Sequence, residues 1–222
     1  MFHSKLVDLH VHSLLSDGVY FPMELVRRAQ VKGYVVIAIT DHVDTSNISR
    51  VVPEVVKAAA EINRQVKEIR VIPGAEVTHP PAGSIKGLVK EARKMGAKLI
   101  LVHGETLAEP VVPGTNRKAL EAGIDILAHP GLISESDFLF AKKQGVLLEV
   151  SARKGHAISN GYLVSLWRRL GGKLIINTDG HHEDDLFTEV KYFNVGMGAG
   201  LTRREVAQIL KSTLSFAQSK LK

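Results

Sequence analysis

Seven short apolar runs alternate with seven stretches of helical periodicity along this chain, and that alternation restricts the fold more than any other feature of the sequence. The runs are Leu6–His10, Val35–Thr40, Arg70–Ala75, Lys98–His103, Ile124–Ala128, Val146–Val150 and Lys173–Asn177. They are short and rich in aliphatic and β-branched residues, as buried strands are. Helical patterns cover Pro22–Lys32, Val51–Val66, Ser84–Met95, Asn116–Ala122, Glu135–Lys143 and Asn160–Leu170, with a last one over Thr202–Leu214. Pro22 at a first turn, Gly33 and Gly96 at helix ends, and a Thr202/Glu205 capping box mark boundaries. Strands joined by helical crossovers run parallel, so the chain is α/β, either a closed barrel or an open doubly wound sheet. No low-complexity linker or composition shift interrupts the 222 residues, and one domain over residues 1–222 is expected.

The residues at the strand ends decide between the two architectures. His10 and His12 follow the first run, Asp41 and His42 the second, Glu76 the third and His103 the fourth. His129 follows the fifth, Glu149 lies in the sixth, and Asp179 with His181 follows the seventh. In an open sheet such residues gather at one crevice. In a barrel every strand end faces a common centre. Candidates after nearly every strand therefore favour a barrel, and seven repeats rather than eight make it irregular or incomplete. His10 and His12 stand two apart, so on a strand they share a face and can close on one ion. There is no cysteine, so a transition metal here must be held by histidines and carboxylates.

The ordered motifs Asp8-Leu9-His10-Val11-His12-Ser13 with Ser16-Asp17-Gly18, Thr40-Asp41-His42, Gly74-Ala75-Glu76, His103, Ala128-His129-Pro130 and Thr178-Asp179-Gly180-His181 resemble those of the PHP (polymerase and histidinol phosphatase) family. The resemblance runs from residue 6 to about 182. It implies a distorted (β/α)7 barrel of TIM type with a three-metal cluster, of zinc, manganese or iron, at the C-terminal ends of the strands. By the same resemblance His10, His12, Glu76 and Asp179 hold one ion. Glu76, as a bridge, holds a second with His103 and His129, and Asp17, His42 and His181 hold the third. All nine positions carry competent ligands. The implied chemistry is hydrolysis of a phosphate ester by in-line attack of a metal-bridging hydroxide, with Glu76 and Asp179 at its heart. Three divalent ions against the carboxylates of Asp17, Glu76 and Asp179 leave about +3 in the cavity, a seat for a phosphate dianion.

Other residues near the ring have two readings each. Arg153 is the preferred clamp for the substrate phosphate, with Lys154 as a looser alternative, or both belong to a solvated basic loop. His182 neighbours a ligand and is the candidate proton donor. Glu105 orients a ligand or meets an amine on the substrate. His156 approaches the leaving group or is an ordinary loop histidine, and Asp41 orients an imidazole or shapes a turn. His3 and His79 read as surface or loop residues. Glu149 points into the barrel or outward.

A net charge of +6 suits anionic partners in general, phosphorylated metabolites and nucleic acid alike. The N-terminus lacks a basic and apolar leader and no apolar run approaches a membrane span, so a cytoplasmic protein with no membrane partner is expected. A histidinol-phosphatase-like enzyme acting on a small phosphomonoester is the first functional reading. Nuclease or nucleotide phosphatase action on nucleic-acid ends is the alternative, and a metal-free scaffold is a third that the intact ligand set argues against. Aromatic residues make up only 5% of the chain, few for stacking single-stranded bases, which favours the small substrate.

Overall fold

The computed structural model describes residues 5–222, so His3 lies outside the described residues. Strands β1 (Leu6–Val11), β2 (Tyr34–Ile39), β3 (His42–Val43), β4 (Arg70–Val77), β5 (Leu99–His103), β6 (Ile126–Ala128), β7 (Leu147–Ser151) and β8 (Leu174–Asn177) form one sheet. Its order is β1-β2-β4-β5-β6-β7-β8, with the two-residue β3 added on β4, and every pairing is parallel. The ring is a nearly closed seven-strand barrel. β1 and β8 are joined by an isolated bridge rather than a ladder: Val11 bridges Gly180, the His12 amide donates to the Gly180 carbonyl at 2.9 Å, and the Leu9 amide donates to Asn177 Oδ1 at 3.0 Å.

Helices α1 (Pro22–Val31), α2 (Ile48–Gln65), α3 (Ile85–Lys94), α4 (Thr115–Glu121), α5 (Glu135–Gln144), α6 (Asn160–Leu170), α7 (Glu189–Gly198) and α8 (Arg203–Lys220) surround it. Two sequence expectations need revision. α7 lies in a segment without a clear helical period, where Gly196 and Gly198 weaken helix propensity. α8 runs six residues beyond Leu214, because its last turns bury Ala217 against the barrel. The Thr202/Glu205 capping box forms as read from sequence. Among the described residues no helix is long and apolar enough to cross a membrane.

Two apolar layers result. An outer one packs helices on the sheet, with Leu25, Val52, Val55, Leu88, Leu163 and Val206 among its helix-borne residues. The inner one fills the barrel with Val7, Leu9, Val36, Ala38, Ile72, Leu99, Leu101, Ile126, Leu147 and Ile175, and α8 closes its floor with Ala217, flanked by Leu214, Phe216 and Leu221. Strand side chains alternate inward and outward, so the inward series continues upward two residues at a time. Along β4 it reads Ile72, Gly74, Glu76; along β5 Leu99, Leu101, His103; along β7 Leu147, Glu149; along β8 Ile175, Asn177 and then Asp179. The same periodicity that fills the floor with hydrocarbon thus delivers carboxylates and imidazoles to the C-terminal rim. Gly74 has no alternative in this stack, since a Cβ there would lie 2.9 Å from the Leu99 carbonyl oxygen.

Candidate metal centre

Where simple alternation fails to aim a histidine inward, a backbone irregularity does so. The pairing of β1 with β2 shifts register between Asp8 and Val11. Below the shift Val7 and Leu9 face the inner core; above it Val11 joins the outer layer and His10 and His12 face the rim. A bulge of this kind re-aims side chains next to active sites. His129 and Asp179 have positive φ values, 26° and 53°, which non-glycine residues adopt only when surroundings over-determine them.

Glu76, fully buried, sits at the middle of the cluster. Its Oε2 lies 3.3 Å from His10 Nε2 and 3.6 Å from His12 Nε2, and its Oε1 lies 3.5 Å from His129 Nε2. Asp179 Oδ1 stands 3.6 Å from His10 Nε2 and 3.2 Å from His12 Nε2. None of these approaches is a hydrogen bond for the imidazole nitrogens concerned: His10 Nε2, both ring nitrogens of His12 and both oxygens of Glu76 are buried without a hydrogen-bond partner. Orphaned polar atoms of this density are costly unless something else satisfies them. An ion with bonds of about 2.1 Å to nitrogen and oxygen holds adjacent ligands about 3.0–3.4 Å apart in octahedral or tetrahedral geometry, close to the spacings observed. The donor set therefore fits a divalent metal.

A second gathering lies beside it. His12, Asp17, His42 and His181 each offer one ligand atom, all within 4.8 Å of one another. Asp17 Oδ2 is 3.0 Å from His181 Nε2 and Oδ1 is 3.5 Å from His42 Nε2. Asp17 reaches this position because the loop folds back onto β1 at Gly18, where a Cβ would lie 2.2 Å from the His12 carbonyl oxygen. On the opposite side His103, His129 and His156 form a third gathering within the same spacing.

The electrostatics follow from packing three carboxylates among imidazoles. Burial opposes the ionised form of Glu76 and Asp179, but the imidazoles around them win and hold both far below the usual carboxylate range. Burial likewise opposes a charge on His10, yet Glu149, Glu76 and Asp179 hold its pKa well above the ordinary value. His42 is pushed up to about 10 in the same way, against its burial, by Glu76 and Asp17. His12, with burial and His42 both acting against protonation, falls to about 3 and stays neutral.

A supporting layer fixes ring orientations. Glu149 points into the barrel and its Oε2 lies 2.8 Å from both His10 Nδ1 and Asn177 Nδ2, so His10 turns Nε2 to the cluster. His42 Nδ1 is 2.7 Å from Thr78 Oγ1 and 2.9 Å from Glu76 Oε2, and Nε2 is turned toward Asp17. Asp8 accepts from Thr178 Oγ1 at 2.6 Å, and burial pushes its carboxyl up to about 7. Asp41 takes the turn reading: it accepts from the Ser13 amide and from the hydroxyls of Ser13 and Ser16, and so shapes the loop that carries Asp17.

The residues expected to meet substrate divide. Arg153 is half-buried beside the cluster, with Nη1 2.7 Å from His181 Nδ1 and donating to the Asp179 carbonyl at 3.2 Å. Lys154 is exposed on the same turn. Glu105 is not brought to the cluster, because its Oε1 accepts from the Gly114 and Asn116 amides at the N-terminus of α4, where unpaired amide donors attract a carboxylate. His182 also turns away: its ring is 50% exposed and Nε2 faces the Tyr20 hydroxyl at 3.2 Å, since successive residues past β8 point to opposite sides. No sequence pattern singles out Glu109, whose carboxylate lies 3.1 Å from His103 Nε2 and 3.0 Å from His79 Nε2. His79, read as a loop residue, lines the site with φ 50°. Above the cluster opens a cavity of about 190 Å³, walled by Asp17, His42, Glu109, Arg153, His156 and Asp179 among others.

A family model described as PHP domain matches residues 8–105. An uncharacterized protein of Methanocaldococcus jannaschii is 42% identical over 204 residues, covering 91% of this chain and 94% of that protein. The DNA polymerase/3'-5' exonuclease PolX of Bacillus subtilis is 28% identical over 82% of this chain, which spans 36% of that relative. The 5'-3' exoribonuclease Rnm of Escherichia coli is 30% identical over 61% of this chain, which spans 47% of it. Among solved structures, the ochratoxinase of A. niger superposes with a TM-score of 0.63 at 15% identity, over 96% of this chain and 71% of that one, a likeness of fold.

Proposed function

Because the chain belongs to the PHP family and is thereby a metal-dependent hydrolase, we propose that it is a phosphoesterase that removes phosphate from a small phosphomonoester. The observation that carries this reading is the ring of buried, unpartnered imidazole and carboxylate atoms around Glu76, under a cavity of about 190 Å³. Three divalent ions, zinc, manganese or iron, suit such donors. His10, His12, Glu76 and Asp179 would hold the first, Glu76 with His103 and His129 the second, and Asp17, His42 and His181 the third. Bound ions supply water activation near neutral pH and neutralise charge on phosphate oxygens.

The chain's own residues contribute position and selectivity. Glu76 would serve two ions, since its two oxygens face different histidines. Glu149 holds the His10 ring so that Nε2 faces inward. Arg153 presents a guanidinium at the cavity wall, a planar fork matched to two phosphate oxygens. The cavity has walls from the loops after β1, β4, β5, β7 and β8, so it admits a terminal group more readily than a continuing strand. With His182 turned toward Tyr20, no residue is assigned as the proton donor to the leaving group.

A second reading, cleavage at nucleic-acid ends, draws support from PolX and Rnm, whose names describe exonucleases. The deciding experiment offers metal-replete protein histidinol phosphate, sugar phosphates, nucleotides and short single-stranded DNA and RNA. Release of phosphate from small monoesters is expected. Oligonucleotide cleavage without monoesterase activity would replace the first reading with the second, and no turnover of any phosphate ester would refute both.

A further inference from the structure

The gathering on the β5 side of the cluster contains one residue beyond the nine proposed ligand positions, His156, and a loop carboxylate, Glu109, stands beside it. His156, on the turn after β7, is only 3% exposed. Its ring stacks on His129 with centroids 4.1 Å apart. Its Nδ1 lies 2.7 Å from the Thr106 hydroxyl, and its Nε2 is 3.7 Å from Asp179 Oδ2 and 3.4 Å from Glu109 Oε1. His10 is built in this way, with Nδ1 anchored on Glu149 and Nε2 directed at Glu76 and Asp179.

Glu109 completes the arrangement from above. It comes from the loop between β5 and α4, and its two oxygens reach different imidazoles, Oε2 to His103 Nε2 at 3.1 Å and His79 Nε2 at 3.0 Å, and Oε1 to His156 Nε2 at 3.4 Å. His103, His129 and His156 each present a ring nitrogen within 4.8 Å of the others. Without Glu109 and His156 an ion on this side would have two imidazoles and one oxygen of Glu76, whereas an ion beside β1 would have two imidazoles and two carboxylates.

We propose that His156 and Glu109 are further protein ligands of the ion held by His103, His129 and Glu76, so that this side of the centre is enclosed by five residues. The inference rests on the reading of the cluster as a metal centre. Its consequence is selectivity: an ion with more protein ligands keeps fewer positions for water or substrate and is the hardest of the set to remove.

The test strips the full chain of metal and titrates it with Co²⁺ and Zn²⁺ by calorimetry, with bound metal counted after gel filtration, for wild type, His156→Gln and Glu109→Gln. Each variant should lose tenfold or more in affinity for one ion, with the remaining ions unaffected, and change the visible absorption of the cobalt form. Glu109, 40% exposed on its loop, provides the answer where His156→Gln does not fold. Wild type that takes up no divalent ion would overturn the metal centre itself. Wild type that binds metal, with both variants equal to it in content and affinity, would overturn this inference alone, whether or not their turnover falls.

Discussion

Replacing Glu149 separates orientation of a ligand from ligation itself. Both of its hydrogen bonds, from His10 Nδ1 and Asn177 Nδ2, enter at Oε2, while Oε1 is buried without a partner. Glu149→Gln can therefore keep both bonds through its amide oxygen while losing the charge and setting an NH2 group where Oε1 has no partner. A hydrogen bond to a charged group is stronger than a neutral one by about 1–1.5 kcal/mol. That difference corresponds to about a tenfold loss of affinity for an ion at His10. Glu149→Ala removes the acceptor altogether and strands two fully buried donors, at about 1–3 kcal/mol each in fold stability. It also frees the His10 ring, so metal affinity should fall toward 100-fold, the upper end of what such supporting residues confer. Competition with a zinc-chelating dye measures the affinities, and urea unfolding of the metal-free proteins measures stability. Equal zinc affinity in wild type, the glutamine variant and the alanine variant would refute the role given to Glu149, and with it the assignment of His10 as a ligand.

Glu76→Gln should remove the affinity for two ions together and abolish turnover, since each oxygen faces a different set of histidines; full activity in this variant would break the proposed arrangement. Metal uptake should release protons, because burial is outweighed by carboxylates that keep His10 and His42 protonated at neutral pH when no ion is bound, and ligation needs them neutral. Affinity then falls as pH falls, and calorimetry in buffers of different ionisation enthalpy reads the proton count; no proton release would contradict it. Burial holds the Tyr34 hydroxyl well above its ordinary value of 10.0. As pH rises through about 10 the unfolded chain ionises this tyrosine while the folded chain retains the proton, so stability must fall with rising pH. The urea midpoint should drop between about pH 9 and pH 11 less steeply in Tyr34→Phe than in wild type. Arg153→Lys should raise KM for the phosphate ester about tenfold or more with metal content unchanged, since a point charge replaces a planar fork; an unchanged KM would remove Arg153 from the phosphate seat.

The barrel was legible because its inward series obeys a period of two, so Leu99, Leu101 and His103 already state in sequence that a strand passes from core to rim. The nine proposed ligand positions come from the family resemblance; eight of them lie at or just past a strand end, while Asp17 is carried by the loop after β1. What sequence could not resolve depends on loops. Adjacency to His181 suggested a role for His182, but a residue step past β8 turns the side chain to the other side, toward Tyr20. Glu105 is drawn to amides nine and eleven residues along the chain, a capping partnership that no short motif announces. Glu109 meets His79, thirty residues earlier, only because the loops after β4 and β5 lie side by side on the rim. α7 has no clear signature in sequence because its glycines dilute the helical signal, and packing of Tyr192 and Phe193 supplies what propensity does not.

The seam of the barrel carries a kinetic meaning. β1 and β8 touch through Val11 and Gly180, and just below, Thr178 donates to Asp8 across 170 residues of chain. Closing a loop of that length costs about 4–5 kcal/mol of chain entropy, so these contacts reward folding only after the intervening crossovers are in place. The histidines of β1 and the residues after β8 are therefore expected to meet in the last cooperative step rather than at nucleation. An ion bridging His10, His12 and Asp179 would be a clasp on a ring whose two ends are the beginning and the end of the barrel, slowing its opening rather than speeding its assembly.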